Sequence, residues 1–332
     1  MLTINNYPNQ HNHIKNRTLN NCSTNYNALN FKGHLKTETI YNKGFKFLIH
    51  QTMFNRDPET KNFVCDYIKN NFSHKPNIKI VSGGCSTGEE AITYSMLLYD
   101  MKNDVNILGI DLGKKAIQQA NSRQYVFSVL DSKIDASEYF NDITQSEFSD
   151  NYLVNHNKKG LTPSEYRFKI LFDDFFEPVP KTKLQQLGKS LLKIIGDDNH
   201  NHLRTENKAY RLKDGMATNC TFIQGDISNI DEIINHEKVD VISFSNAMYH
   251  LTTKNLYWGE REPLENRESI IKNLISKFKN CLNTNGIIVF GEHEEEQMLD
   301  NSTVPKVMKE LGFKALNKTE KHNANVWKLN NK

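Results

Sequence analysis

Apolar residues along this chain follow two alternating rhythms. Ile78, Ile80 and Val81 form a short β-branched run that predicts a buried strand. After a glycine-rich turn, Tyr94, Leu97, Leu98 and Met101 recur at i, i+3, i+4 and i+7, the spacing of an amphipathic helix. "VNILGID" predicts a second strand ending at Asp111, and a helix starts near Lys114. The alternation returns later. "CTFIQGDI" predicts a strand ending near Asp226, and "VDVISFSNAMYHL" a buried strand whose end carries Asn246. "RESIIKNLISKFKNCLNTNG" reads as a helix closed by Asn-Gly. "GIIVFGE" is a strand, "VPKVMKELGF" a helix, and "FKALNK" with "NVWKLN" suit a closing hairpin. Strand, glycine turn, helix, strand, acid is the opening of an open α/β sheet with right-handed crossovers.

The flanking pattern divides the chain. Residues 1–30 are dominated by Asn, show no apolar period, and read as a disordered arm. Residues 31–74 read as a short helical segment. Within it "DPETKNFVCDYIKNNF" opens with Asp-Pro and sets Phe63, Val64, Tyr67 and Ile68 on one face. Residues 75–332 form the α/β domain, with an insertion at about 127–218. There "DASEYFNDI" and "LTPSEYRFKILFDDFF" predict helices, "KAYRLKDGM" an extended piece, and "GDDNHNHLRTENK" a polar loop.

Composition narrows the function. A net charge of +3 is too mild to argue for nucleic acid. The 5 cysteines are scattered with no C-x-x-C pair, which argues against structural zinc and disulfides and for a reducing cytoplasm. His11, His13, Asp197, Asp198, His200 and His202 read as solvated residues, so no metal site is expected. No apolar run approaches the ~20 residues of a membrane span, and the polar N-terminus lacks a secretory apolar region.

The turn "GGCSTGEE" admits three chemistries. Gly83 and Gly88 have P-loop spacing, but Glu89 and Glu90 stand where Lys and Ser or Thr should hold phosphates and magnesium. Gly84, Ser86 and Gly88 spell the G-x-S-x-G of a hydrolase elbow, with Asp240 and His250 or His293 following in order. That fold requires strands before its elbow, and here only the Asn-rich arm and helices precede Ile78. The third reading is a turn that lets a nucleoside cofactor approach the backbone. Asp111 ends the next strand, where an acid grips ribose hydroxyls. A dinucleotide's pyrophosphate would meet Glu89 and Glu90. S-adenosylmethionine (AdoMet) carries an ammonium, a sulfonium and a ribose instead, and carboxylates complement all three. Asp226 and Ile227 follow the third sheet strand near the adenine, and Asn246 follows the fourth near the reacting end. For each acid taken singly, a helix-capping role is the competing explanation.

These residues resemble the CheR-type chemotaxis receptor methyltransferases. "CSTGEEAITYSMLL" is similar to the family's A-S-T-G-E-E-P-Y-S stretch, with Ala91 where Pro is usual. "TMFNRDPETKNF" resembles T-x-F-F-R-[ED], matching at Thr52, Phe54, Arg56 and Asp57. "GIDLGKKAIQQANSRQY" resembles the family's D-I-D stretch at Asp111, Ala120 and Tyr125. "VDVISFSNAMYHL" resembles F-D-x-I-x-C-R-N-V-x-I-Y-F, and "GIIVFGEHE" resembles G-x-L-x-x-G-x-x-E. The resemblance implies a class I AdoMet-dependent methyltransferase: a Rossmann-like, mostly parallel seven-stranded sheet with a closing antiparallel hairpin, preceded by a short helical segment. It implies methyl transfer to glutamate carboxylates of a chemoreceptor-like protein. It implies a cofactor site of Thr52, Arg56, Gly83, Gly88, Glu90, Asp111, Asp226, Ile227 and Asn246. Arg56, Tyr249 and His250 are the candidate catalytic residues. Arg56 would steer a carboxylate, with an ion pair to Asp57 or Glu59 as its alternative, while Tyr249 and His250 would line the methyl's path.

Several positions depart from the family. The N-terminal helical region is short, Gly113 replaces an acid, Ser245 replaces Arg, and His250 stands where Tyr is expected. A non-catalytic AdoMet sensor, or a methyltransferase with another acceptor, is therefore kept beside the carboxyl methyltransferase. The expected state is a monomer in the cytoplasm, without membrane insertion or nucleic acid.

Overall fold

The computed structural model describes residues 54–101, 104–130, 171–172, 174–179, 205–255, 261–291, 302–317 and 325–330. Thr52, His293, the N-terminal arm, "DASEYFNDI" and the polar loop of the insertion lie outside the described residues. Described elements run α1 (Pro58–Phe72), β1 (Asn77–Gly83), α2 (Glu89–Leu97), β2 (Asp104–Asp111), α3 (Lys114–Ser122) and β3 (Gln124–Leu130). There follow β4 (Phe176–Pro178), β5 (Thr205–Leu212), β6 (Cys220–Gln224), a 3-10 turn (Ile227–Asn229), α4 (Ile230–Ile233), β7 (Val239–Phe244) and α5 (Met248–Thr252). Last come β8 (Thr253–Asn255), β9 (Arg261–Pro263), α6 (Arg267–Cys281), β10 (Leu282–Phe290), α7 (Thr303–Glu310), β11 (Phe313–Ala315) and β12 (Val326–Leu329).

Seven strands form one sheet in the order β11-β12-β10-β7-β1-β2-β6. The pairs β1–β2, β2–β6, β1–β7 and β7–β10 are parallel, and β12 runs antiparallel to both β10 and β11. This is the class I AdoMet-dependent methyltransferase arrangement, with the predicted hairpin closing it. The chain winds outward from β1 to β6, then crosses back to place β7 on the other side of β1. Strand order therefore reverses between β1 and β7, and in open α/β sheets ligands bind outside the carboxyl ends of the strands at such a point. The central strands are buried on both faces: every residue of β7 is buried, as are Ile80 to Gly83 of β1. Parallel strands covered by helices on both sides lose the polar alternation of half-exposed ones.

The structure corrects several boundaries. The α1 face against the core is Val64, Cys65, Ile68 and Phe72, with Thr60 and Lys61 buried beside it, while Phe63 and Tyr67 are only half-buried. Helix α2 is buried all round from Ala91 to Leu97, so Leu98 caps it and Met101 lies beyond it. The strand carrying Asn246 ends at Phe244, because Met248 to Thr252 turn helical. Asn-Gly does not close α6. That helix stops at Cys281, and Asn285, at φ 66°, belongs to an irregularity in β10 between Leu282 and Ile287. Residues 124–130 were not foreseen as a strand. They pair antiparallel with β5, which also pairs with β4, making a separate three-stranded sheet. Among the described residues no helix is long and apolar enough to cross a membrane.

Candidate functional site: the carboxyl edge of the sheet

Because β1, β2, β6, β7 and β10 are parallel, their carboxyl ends share one edge. That edge brings together Gly83, Asp111, Asp226, Asn246 and Gly291, residues up to 208 positions apart in sequence. The glycine turn after β1 is stapled across it. Cys85 N–H donates to the Ile110 carbonyl at 3.1 Å, and Gly88 N–H to the Cys85 carbonyl at 2.9 Å. Ser86 N–H donates to Asp111 Oδ2 at 2.8 Å, and Gly113 N–H donates to Asp111 Oδ1 at 2.7 Å. Asp111 thus holds the turn from below, and each of its oxygens keeps a second lone pair for a hydroxyl ligand. A P-loop offers its amides to phosphate. Here three of them are consumed within the protein.

The turn needs glycine where neighbours close in. Gly88 sits at φ 94°, and a Cβ there would lie 2.7 Å from the Phe222 ring. A Cβ on Gly83 would lie 2.8 Å from Ile227, which sets Ile227 against the strand end. Three non-glycine residues around this edge also adopt the left-handed region: Asn55 at φ 51°, Ser86 at φ 50° and Asn246 at φ 54°. Such backbone costs of order 1–3 kcal/mol per residue and clusters at functional sites.

Asn246 is the most informative residue. It is 9% exposed, and neither Oδ1 nor Nδ2 has a hydrogen-bond partner among the described residues. An unpaired buried amide costs roughly 1–3 kcal/mol, so its place at the sheet's switch point calls for a ligand. Gly291, at the end of β10, makes room for it: a Cβ there would lie 2.3 Å from Nδ2. Asp226 is buried, and its Oδ1 accepts from Ser228 N–H at 2.8 Å, which fixes the loop after β6. An orphaned amide, a glycine-lined approach and two anchored carboxylates fit a nucleoside cofactor without phosphate.

Glu90 lies deeper. Lys61 Nζ meets its Oε1 at 2.5 Å, Ser243 Oγ donates to Oε1 at 3.0 Å, and Ser82 Oγ donates to Oε2 at 2.7 Å. Ser245 Oγ lies 3.3 Å from Ser243 Oγ, next to this cluster. Burial alone would push the Glu90 carboxyl up. The Lys61 charge and these hydrogen bonds outweigh it and hold the group below the usual carboxylate range. The segment before α1 crosses the same helix, with Asn55 N–H donating to Thr93 Oγ1 at 3.0 Å. Arg56, between Asn55 and Asp57 on this segment, is half-buried and makes no ion pair or hydrogen bond among the described residues. The expected alternative, an ion pair with Asp57 or Glu59, is not formed. Phe54 packs edge-on against Tyr125 at 4.9 Å and Phe176 at 5.3 Å, and Tyr125 donates its hydroxyl to the Thr87 carbonyl at 3.1 Å. The segment before α1, the glycine turn and the small sheet are thereby tied together. Tyr249 and His250 follow β7 on α5, with ring centroids 3.9 Å apart.

Among the described residues no serine-hydrolase triad forms. Asp240 is fully buried near the start of β7, at the opposite edge of the sheet. It accepts from Lys75 Nζ, from Lys79 N–H at 3.0 Å and from Asn283 Nδ2 at 2.9 Å. Ser86 Oγ is buried without a partner among the described residues. Cys85 in the same turn is no nucleophile either, because burial and then Asp111, Glu89 and Glu90 push its thiol well above the usual range. Lys61, Ser82, Ser243 and Gly291 are the site residues that sequence reasoning missed. Gly291 had a signal in the G-x-x-E match. Lys61 had none, since a lysine on a helix ordinarily reads as solvated.

Residues 50–162 match the family described as CheR methyltransferase, SAM binding domain. A search of curated protein sequences finds no match. Solved structures with a similar course include a candidate rRNA-methylase from Clostridium thermocellum, at 12% identity and TM-score 0.34, covering 81% of this chain and 94% of that one. Others are the plantazolicin methyltransferase BpumL in complex with SAH, at 13% identity and TM-score 0.33, covering 76% and 62%, and the CurJ carbon methyltransferase, at 13% and 0.37, covering 82% and 55%. At such scores these likenesses carry no weight for acceptor or mechanism. The family match over residues 50–162 and the site chemistry agree on AdoMet as the cofactor and on methyl transfer as the activity.

Proposed function

We propose that this methyltransferase acts on a carboxylate, most simply a glutamate side chain of a protein, as a monomer in the cytoplasm. The observation that carries the reading is Arg56. A half-buried guanidinium without an ion pair or hydrogen bond among the described residues, on a segment pinned to α2, is a ready partner for an anion. A glutamate carboxylate is ionised at neutral pH, with an ordinary pKa near ~4.3, so it needs alignment more than a general base. Bound AdoMet supplies an electrophilic methyl on a sulfonium. Of this chain's residues, Asp111 has lone pairs facing the ribose position. Asp226 and Ile227 shape the adenine side, Asn246 reaches toward the cofactor, and Gly83 and Gly88 let it approach the backbone. Thr52 takes its place in the set from the motif match alone. Arg56 holds the acceptor in line, which can supply ~7–11 kcal/mol, and Tyr249 and His250 wall the approach. The partner is then a protein with an accessible, chemoreceptor-like glutamate, without nucleic acid and without membrane insertion of this chain.

The test is incubation with methyl-labelled AdoMet and cell extract. Label on protein that mild alkali releases as volatile methanol is expected, with transfer abolished in Arg56→Ala. Alkali-stable label would mean an N-methyltransferase, and AdoMet binding with no labelled acceptor would favour a sensor.

A further inference from the structure

Asn55 stands where the family's T-x-F-F-R stretch has its second Phe, immediately before Arg56. It is 8% exposed and sits at φ 51°, and its Oδ1 is buried with no hydrogen-bond partner among the described residues. A left-handed backbone favours Asn over Phe. That accounts for the residue type, but not for an amide oxygen stripped of water and left unpaired. The position is fixed from α2. Asn55 N–H donates to Thr93 Oγ1 at 3.0 Å, and that hydroxyl donates in turn to the Glu89 carbonyl at 2.8 Å. Thr93 follows Glu90 by one helical turn on the same face of α2.

Glu90 receives Lys61 and Ser243 on Oε1 and Ser82 on Oε2, which leaves about one of a carboxylate's roughly four acceptor sites open. Its side chain is 13% exposed. An ammonium brings three N–H donors, so one open site does not satisfy it. Among the described residues, the buried side-chain acceptors without a partner are Asn55 Oδ1, Ser86 Oγ, Ser228 Oγ and Asn246 Oδ1. Ser86 belongs to the turn after β1, Ser228 to the loop after β6 and Asn246 to the end of β7. Asn55 is the one held against α2 beside Glu90. We propose that Asn55 is a further cofactor-binding residue, whose Oδ1 accepts from the α-ammonium of AdoMet alongside Glu90. The inference rests on this edge being the AdoMet site. With Arg56 next in the chain, one segment then holds the amino-acid end of the cofactor and the carboxylate of the acceptor.

Calorimetry tests it with S-adenosylhomocysteine and its analogue bearing hydrogen in place of the α-amino group. The readout is the ratio of their Kd values, which in wild type favours the amine. Asn55→Gly keeps the left-handed backbone without steric cost and deletes only the amide. A thermal melt confirms that it folds, and the preference for the amine should fall by about fivefold or more. In Asn55→Asp the preference should rise by about threefold or more, because a carboxylate holds an ammonium more strongly than an amide does. A ratio unchanged in folded Asn55→Gly overturns the proposal, and so does a preference that drops in Asn55→Asp. In either case, S-adenosylhomocysteine binding to wild type leaves the cofactor assignment standing. Failure of both compounds to bind wild type overturns that assignment and the proposal with it. Should Asn55→Gly not fold, the isosteric Asn55→Asp decides.

Discussion

Replacing Gly291 by alanine tests the role of Asn246 without touching it. The new Cβ would lie 2.3 Å from Nδ2, 2.6 Å from Cγ and 2.7 Å from Oδ1 of Asn246. Ordinary contact begins at 3.4 Å, so the amide must move by about 1 Å in an interior packed like a crystal. Gly291 has no left-handed φ, so the backbone itself tolerates alanine. Overpacking of this kind costs roughly 1–3 kcal/mol, and at roughly 2–4 °C per kcal/mol the Tm should fall by about 2–12 °C. Because the amide has no partner among the described residues, its displacement breaks no described hydrogen bond, and the larger effect should fall on the cofactor. A Kd for AdoMet at least tenfold weaker, ~1.4 kcal/mol, is expected. Titration calorimetry measures it, and a thermal melt confirms folding. Gly312→Ala is the control. Its φ of 86° makes alanine strained, but no atom lies within 4 Å of the new Cβ and the residue belongs to the turn before β11. That variant should lose stability and keep its Kd within twofold. Folded Gly291→Ala with wild-type affinity would refute the placement of the Asn246 amide against the cofactor.

Two further outcomes concern the scaffold. Asp240→Asn leaves Lys75 without its buried partner at the edge away from the site, so stability should drop by about 3 kcal/mol, the low end for breaking a buried pair because Lys75 keeps some water, while AdoMet affinity holds; weakened binding in the folded variant would contradict the edge assignment. The Lys61–Glu90 pair predicts a pH window: with the Glu90 carboxyl held below its ordinary 4.5, its contribution is present above that value and lost as pH falls through the lowered one. With the Lys61 ammonium raised above 10.5, the lysine's contribution is present below that value and lost as pH rises through the raised one. Thermal melts should therefore show an acid limb below pH 4.5 that shrinks in Glu90→Gln, and an identical limb in that variant would refute the pairing.

The alternation of strand and helix, the glycine turn, the acid ending β2 and the closing hairpin were legible from sequence because each is a local pattern of periodicity and turn chemistry. So was the exclusion of a phosphate ligand, since Glu89 and Glu90 sit within two residues of Gly88. Motif spacing likewise placed Asp111, Asp226 and Asn246 at strand ends, where a parallel sheet must gather them. Only the tertiary structure decided which partners each carboxylate meets. Asp111 spends two acceptor sites on backbone amides, whereas Glu90 is bound by Lys61, Ser82 and Ser243, drawn from α1, β1 and β7. A lysine's period on a helix does not say whether its ammonium points to water or to a buried partner; that depends on α1 lying across α2. Pairing of residues 124–130 with β5 was equally hidden, because antiparallel register between segments about 80 residues apart is set by packing and not by local propensity.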